Sequence, residues 1–482
     1  MVRRLLPLAV ASALLAACSV GPNYVRPDSP MPDHFVRAAA NDAPAPSNAG
    51  DAREFWHRLN DPVLDRIVDD TLAANYDLQA AGARFDRANA LLRGARLDLL
   101  PTVTAHGEAS RDHLSRDQGG DGTDLRSYSA QAVASWEIDL SGRIRRGIEA
   151  QRADAWATAA DLDALQVSLV GDAVRTYVEL RGTQERLRVA RENAANQQES
   201  LRLVQSRVDA GRDNDFDLVR SRALLETTQS RVPALEAEEG AAMHRLAVLT
   251  GRTPEALIAT LSPVAPIPVV DATLDGDTPA SVVRRRPDVA AAEHRLHAAT
   301  ARIGVATGDL FPKLTLGGLF GTQAIDSGDL FGSGTRTRFV ALGIDWSFLD
   351  IGHVRARIRA ADADADVALA DYQQAVLLAL EDTETALLRH DRANAETEGL
   401  ARAAADSTRA AELARLRYRA GASSLLEVLD ADRVRLQAED ALADARARSA
   451  VSGVAVYRAL ASGWPNRQVH VANAVNASTA QR

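Results

Sequence analysis

Apolar and polar residues alternate one by one in two short regions of the chain and follow a helical rhythm almost everywhere else. In Tyr128, Ala130, Ala132, Ala134, Trp136 and Ile138 one face is apolar, while Ser129, Gln131, Ser135, Glu137 and Asp139 oppose it and Val133 breaks the rule. Arg338, Val340, Leu342, Ile344, Trp346 and Phe348 repeat the pattern, with Gly343, Asp345 and Ser347 opposite. Partner strands start at Pro101 (Val103, Ala105, Gly107, Ala109) and Pro312 (Leu314, Leu316, Gly318, Phe320). Gly- and Asp-rich stretches at 117–124 and 326–334 separate the members of each pair, which predicts two hairpins with long loops. Each strand is about 10 residues, the length that crosses a bilayer in a β-barrel. A helix precedes each hairpin, over 62–97 and 279–308, with Pro62 and Pro279 near the starts, where a missing N–H costs little. A far longer one follows. Gly142 to Gly211 and Gly352 to Gly421 each span 69 residues without proline, about 100 Å of unbroken helix. Glycine turns lead into return helices over 213–259 and 423–461, the first carrying Pro233 as a predicted kink or break.

The order of elements is thus given twice. Asp77–Ala81 is answered by Asp288–Ala292, Leu100-Pro101 by Phe311-Pro312, Trp136 by Trp346, and Arg207–Gly211 by Arg417–Gly421, all at offsets of 210 or 211. One offset held through four separated blocks marks a tandem duplication. The domain reading is 1–17 leader, 18–60 tether and equatorial segment, 61–261 first repeat, 262–463 second repeat and 464–482 tail. Within the repeats lie hairpins 101–140 and 312–349 and helix pairs 141–259 and 350–461.

Four strands cannot close a barrel, and an open edge in hydrocarbon leaves N–H and C=O groups unsatisfied at several kcal/mol each. Either the strands lie outside a membrane or several chains pool them. Two chains would supply eight strands and three would supply twelve; the residues alone do not count the copies.

The first residues change the picture. Arg3 and Arg4 precede an apolar run, Leu5 to Leu15, too short to span a bilayer and laid out as a secretory leader. It closes on Leu15-Ala16-Ala17-Cys18, which resembles a lipobox, with Cys18 as the lipidated residue and Ser19 after it favouring the outer membrane. Cys18 is the sole cysteine of 482 residues, so an intrachain disulfide and a cysteine metal cluster are excluded. Acyl chains alone anchor weakly, which predicts a second membrane contact. Cleavage before Cys18 would leave 465 residues and move the net charge from −9 to −11. That balance argues against nucleic acid as a partner, since phosphate binding needs a basic face. Abundant alanine with only 4% aromatic residues suits long, closely approaching helices.

Catalytic chemistry is not recognisable. No HExxH motif or Ser/His/Asp constellation stands out. His294 and His297, beside Glu293, read as a solvated helix face rather than metal ligands. Gly317, Gly318 and Gly321 read as strand, not as a phosphate loop. Gly119–Asp124 reads as an extracellular loop rather than a calcium site. No enzyme activity and no cofactor are expected, beyond the covalent lipid on Cys18.

In combination the motifs resemble the TolC-like outer-membrane factors, specifically the NodT-type efflux lipoproteins. They are Cys18-Ser19-Val20-Gly21-Pro22-Asn23-Tyr24 with Pro27; Trp56, Asp61-Pro62, Leu64, Asn75 and Asp77-Leu78; Trp136–Leu140 with Gly142-Arg143; Arg286–Val289; and Arg417–Gly421. The likeness runs from Cys18 to about Gly463. It implies a mainly α fold with a small β part. Duplicated long-helix hairpins would form a trimeric α-barrel, and four strands per chain would contribute to a shared twelve-stranded transmembrane barrel. An equatorial belt would draw on 30–60, 262–280 and the C-terminal residues, with 38–50 as a tether. It further implies an exit duct in the outer membrane, extending into the periplasm, that passes drugs or small solutes and works with a periplasmic adaptor and, through it, an inner-membrane transporter. The turns at Gly211, Arg212, Gly421 and Ala422 would face the adaptor. Leu426, Glu427 and Asp430 match the constriction, with Leu426 as an apolar plug and Asp430 as an acidic ring; a solvated helix face is the plainer alternative for Glu427 and Asp430. Two other functions compete: a protein-secretion duct, and a pore-free coiled-coil scaffold, which would leave four alternating strands unexplained.

Overall fold

The computed structural model describes residues 19–28, 30–36, 55–113, 124–211, 214–270 and 278–461. Cys18, Arg212, the 38–50 stretch, most of the 117–124 loop and the 464–482 tail lie outside them. The chain divides into two compact units, one from residues 1–29, 82–161 and 288–375, the other from 30–81, 162–287 and 376–482. In chain order the elements are α1 (Pro62–Ala74), α2 (Tyr76–Leu97), β1 (Thr102–His113), β2 (Asp124–Ile138), α3 (Arg143–Asp209), α4 (Asp215–Gln229) and α5 (Arg231–Leu249). Then follow α6 (Pro279–Arg285), α7 (Pro287–Gly308), β3 (Lys313–Ala324), β4 (Arg336–Asp345), α8 (Ile351–Arg419) and α9 (Leu425–Leu460).

The first unit is built on one antiparallel sheet in the order β1-β2-β3-β4. The helical segments follow the order of the strands they adjoin. Leu92 of α2 packs with Ile144, Ile148 and Ala155 of α3. From α7, Arg302 reaches Asp154 and Arg295 reaches Asp161 of α3, both at 2.5 Å. Asp309, just past α7, pairs with Arg357 of α8 at 3.2 Å. Small residues permit this spacing: Ala150, Ala153, Ala155 and Ala157 are all buried.

The second unit holds the largest apolar core. Phe55 and Trp56 from a short 3₁₀ turn, Leu64 and Val68 from α1, Val170, Val174 and Tyr177 from α3, Leu246 from α5 and Val454 from α9 meet there. Asp61 caps α1 by accepting from the Val63 and Leu64 amides at 2.9 and 3.2 Å, and Pro62 occupies the first turn. The C-terminal carbonyls of α9 are held by arginines: Arg285 donates to the Leu460 oxygen at 2.7 Å, and Arg286 to that of Ala459 at 3.2 Å. The Arg286-Pro287 motif therefore has a structural task, capping one helix while starting another.

Three expected helices are shorter than the periodicity predicts. The 62–97 helix is divided at Asn75, whose side chain accepts from the Asp77 and Leu78 amides at 2.9 and 3.2 Å and so starts α2 afresh. The 279–308 helix is divided at Arg286-Pro287, because proline lacks the amide that would continue it and restrains the residue before it. The 213–259 return helix becomes α4 and α5, meeting at Ser230, followed by two short turns, Pro254–Leu257 and Ile258–Leu261. Pro233 sits in the first turn of α5, where it removes no internal bond. The second return helix, α9, is continuous. Strand β4 ends at Asp345, so Trp346 and Phe348 follow the strand rather than extend it.

Candidate channel face, N-terminal strap and helix turns

Strand register turns the sequence alternation into two faces. Val103, Ala134, Gly318 and Val340 stand in one row across the sheet; Ala105, Ala132, Phe320 and Arg338 share the same face. Towards the helices that face continues through Trp136, Leu316 and Leu342, then Ile138, Leu314 and Ile344. The other face is mixed to polar: Thr102, Ser135, Gly317 and Ala341 make one row, His106, Gln131, Gly321 and Thr337 another. Phe320, Val340, Leu342 and Ile344 are exposed, so the apolar face has no cover among the described residues. Among the described residues, strands β1 and β4 each pair on one side only. Among the described residues, no helix is long and apolar enough to cross a membrane.

Where sheet meets helix, the two repeats use the same contact. The Trp136 indole donates to the Leu99 carbonyl at 2.9 Å, and Trp346 to that of Leu310 at 3.0 Å. Aromatic residues at strand ends with one polar handle are the pattern of a membrane–water boundary. Asp139 accepts from the Ile144 and Arg145 amides at 3.2 and 3.0 Å, and Arg143 pairs with Glu137 at 2.8 Å, fixing the start of α3.

Residues 19–28 lie along this junction as a strap. The Val20 amide donates to Ser141, and Arg146 of α3 donates to the carbonyls of Val20 (3.0 Å) and Gly21 (3.2 Å) and to Asn23 Oδ1 (2.7 Å). Gly21, with φ +88°, approaches α7 so closely that a Cβ would come within 2.4 Å of the Gly304 Cα. Tyr24 stacks on His297 at 4.5 Å and donates to Glu293 at 3.2 Å; Arg26 pairs with the same carboxylate at 3.0 Å. Burial, then Glu293, pushes the Tyr24 hydroxyl above its ordinary range. Burial opposes ionisation of Glu149, but hydrogen bonds from His297 and Arg146 more than offset it and hold the carboxyl below its usual value. His294 and His297 are therefore not on a solvated face as expected. They are half-buried against α3, near Trp156, and burial lowers the His294 pKa. No group of three potential metal ligands occurs among the described residues.

The turns after α3 and α8 are built alike. Gly211 and Gly421 adopt φ +68° and +72°, conformations that glycine reaches without steric cost. The Gly421 and Ala422 amides return to the carbonyls of Tyr418 and Arg417, both at 2.9 Å, closing a Schellman motif; the Gly211 amide returns to Val208 at 2.8 Å. Val204, Leu218, Tyr418, Leu425, Val428 and Leu429 pack the two turns into one cluster. Leu426, Glu427 and Asp430 are carried on the opposite, exposed face of α9, with Asp430 paired to Arg433 at 2.6 Å. Two residues on, Asp432 is buried instead and receives Arg415 at 2.8 Å. Sequence reading missed that buried contact, as it missed Arg181. Arg181 is 2% exposed and donates to Gln184 and to the carbonyls of Leu261 and Pro263. Nothing in local periodicity distinguishes these charges from the solvated ones beside them.

An antiparallel sheet with one apolar face, open at both edges and continued by four helices, defines a subunit of a TolC-like outer-membrane channel. The family model described as outer membrane efflux protein matches residues 67–252 and again 279–462, once per repeat. The chain is 32% identical over 419 residues to the pyoverdine export outer membrane protein OpmQ of Pseudomonas putida, covering 86% of this chain and 88% of that one. Nodulation protein T of Rhizobium leguminosarum bv. trifolii is 30% identical over 425 residues, covering 88% and 89%. The solved outer-membrane channel OprN superposes with a TM-score of 0.86 at 39% identity, over 93% of this chain and 100% of that one. The chain belongs to the outer membrane efflux protein family, and its fold is that of a channel protein.

Proposed function

We propose that three copies of this chain close a twelve-stranded barrel in the outer membrane and a helical conduit below it. The assembly would be the exit duct of a tripartite pump for drugs or small solutes. The observation that carries this reading is the sheet whose apolar face is uncovered and whose edges, β1 and β4, await a partner. Pairing β4 of one copy with β1 of the next satisfies both edges, as hydrocarbon demands. Twelve strands leave room for a channel where eight would be filled by side chains. The duct catalyses nothing; energy comes from an inner-membrane transporter, reached through a periplasmic adaptor. Single-channel conductance of the mature protein in planar bilayers, with native mass alongside, tests the reading. The expected result is a heat-sensitive trimer with small, mostly closed, cation-selective channels. A monomer or dimer that never conducts overturns it.

Cys18 carries the lipid in this reading, and the strap beginning at Ser19 leads it to the sheet–helix junction. Intact mass of the mature protein should exceed that of its unmodified chain by the acyl groups, and Cys18→Ala should abolish the excess. The turns at Gly211, Arg212, Gly421 and Ala422 meet the adaptor. Leu426, Glu427 and Asp430 form the constriction, Leu426 excluding water and Asp430 favouring cations. Leu426→Ser with Asp430→Ala should raise resting conductance; unchanged conductance removes the gate from these residues.

A further inference from the structure

The first unit has a concavity on each side of its helices, and the two differ in what the sheet adds to them. One is lined by Thr102, Ser135 and Glu137, which belong to the mixed-to-polar sheet face. The other, about 400 Å³, is lined by Leu99, Arg145, Ile148, Glu149, Arg152, Trp156 and His297. Two contacts fix where this second cavity lies. Leu99 on its rim receives the indole of Trp136, a residue of the apolar face. His297 in its wall carries Tyr24 of the strap. It therefore opens on the side of the apolar face, next to the strand ends and the anchor strap.

Its charges are unevenly spent. Glu149 is occupied by Arg146 and His297, and Arg145 by Asp139 at 3.2 Å. Arg152 is exposed and makes no ion pair or hydrogen bond among the described residues. Trp156 is 39% exposed beside it, while Ile148 and Leu99 supply apolar wall. An available guanidinium, a partly bare indole and an apolar rim match an anion that carries a greasy stem.

We infer that this cavity is a headgroup site for an anionic glycerophospholipid of the leaflet facing the periplasm. Arg152 takes the phosphodiester, Trp156 lies against the glycerol, and Leu99 admits the start of the acyl chains. Basic pockets at the headgroup level bind such lipids by the same combination of charge and depth. The inference rests on reading the apolar sheet face as lipid-facing.

The test uses the full mature oligomer, stripped of lipid in detergent and titrated with short-chain phosphatidylglycerol, short-chain phosphatidylethanolamine or inorganic phosphate, with bound molecules counted by native mass spectrometry. Phosphatidylglycerol should bind at least tenfold more tightly than phosphatidylethanolamine. Arg152→Gln with Trp156→Ala should erase that preference, Arg152→Lys should keep it within about threefold because the charge remains, and Gln151→Ala, on the opposite concavity, should leave it intact. No preference in the wild type, or one that survives the double variant, overturns the inference. Full competition by millimolar phosphate would assign the site to a free anion and also overturn it. A conducting trimer without the preference sinks this inference alone; a lipid-selective protein that never conducts sinks the channel reading instead.

Discussion

The two repeats share one grammar and live in different surroundings. In the first, the short helix before the hairpin, α2, is largely exposed beyond residue 82, while the start of α3 alternates buried and half-buried positions. In the second the relation is reversed: α7 is largely buried and the first turns of α8 are exposed. The sheet order explains this. Strands β2 and β3 are inner and β1 and β4 are edges, so each repeat contributes one covered and one uncovered side. His294 is half-buried where its counterpart Ala83 is exposed, and Glu149 is held by Arg146 and His297 where its counterpart Arg359 is exposed. At the helix turns the repeats diverge in charge: Phe216 and Leu426 are both exposed at equivalent positions, but Arg220 answers Asp430 and exposed Arg222 answers buried Asp432. Duplication supplied the frame, and position within the row decided which side chains had to change.

The largest test of that equivalence lies in the sheet. Ala130 and Val340 are equivalent by the offset and both stand on the apolar face. An arginine there costs about 2–4 kcal/mol near the bilayer midplane, repeated in every copy. Ala130→Arg and Val340→Arg should each remove the heat-sensitive trimer from the outer-membrane fraction. Survival of one but not the other would show that the two hairpins face different media. Next comes Asp432, whose side chain is 3% exposed. Asp432→Ala takes the carboxylate from Arg415, which is 35% exposed, and from the buried Arg435, 3.7 Å away, and should cost about 3 kcal/mol, the lower end for breaking a buried pair. Its counterpart change, Arg222→Ala, should stay within about 0.5 kcal/mol. Hydrogen exchange at the α8–α9 turn, compared with the α3–α4 turn, reads the contrast.

Acid should loosen the strap side of the second repeat and spare its counterpart. Burial holds the His294 pKa in the folded chain below the ordinary histidine value of 6.5, so its share of stability is present above 6.5 and is lost as pH falls through the lower folded value. Glu149 acts in the same direction further down, its share present above 4.5 and lost below. Exchange protection along α7 and at Tyr24 should fall from pH 7 to 4, and His294→Gln should flatten the upper part of that fall. Protection that stays level in the wild type would deny these groups a role. The smallest effect belongs to Pro233→Ala, within about 1 kcal/mol, because Pro233 sits in a first turn where no internal hydrogen bond is lost. A larger change in thermal midpoint would mean that the bend at Ser230 is itself required.

Much of this was legible in the residues. Alternation from Tyr128 to Ile138 and from Leu314 to Phe320 located strands and assigned their faces, since period two is a local property. Glycines 211 and 421 located the turns, because few other residues accept their backbone angles. The break at Asn75 was hidden: it depends on a side chain accepting from the Asp77 and Leu78 amides ahead of it and donating to the distant Leu249 carbonyl. Burial of His294, Arg181 and Asp432 was hidden for a related reason. Each is enclosed by segments far away in sequence, and a charge facing such a segment looks, letter by letter, like one facing water. The lipidation of Cys18 and the contacts of Arg212 rest on residues outside those described.

The open sheet has a further consequence, which belongs to population rather than geometry. A subunit that cannot satisfy its own edges has no stable resting place in hydrocarbon until its neighbours arrive. If three must meet, the population of finished ducts rises with the cube of free subunit concentration. Halving the free subunit pool would then cut the ducts in equilibrium with it about eightfold. Whatever holds down that free pool would act as a steep throttle on duct number, set by nothing more than two unpaired strands.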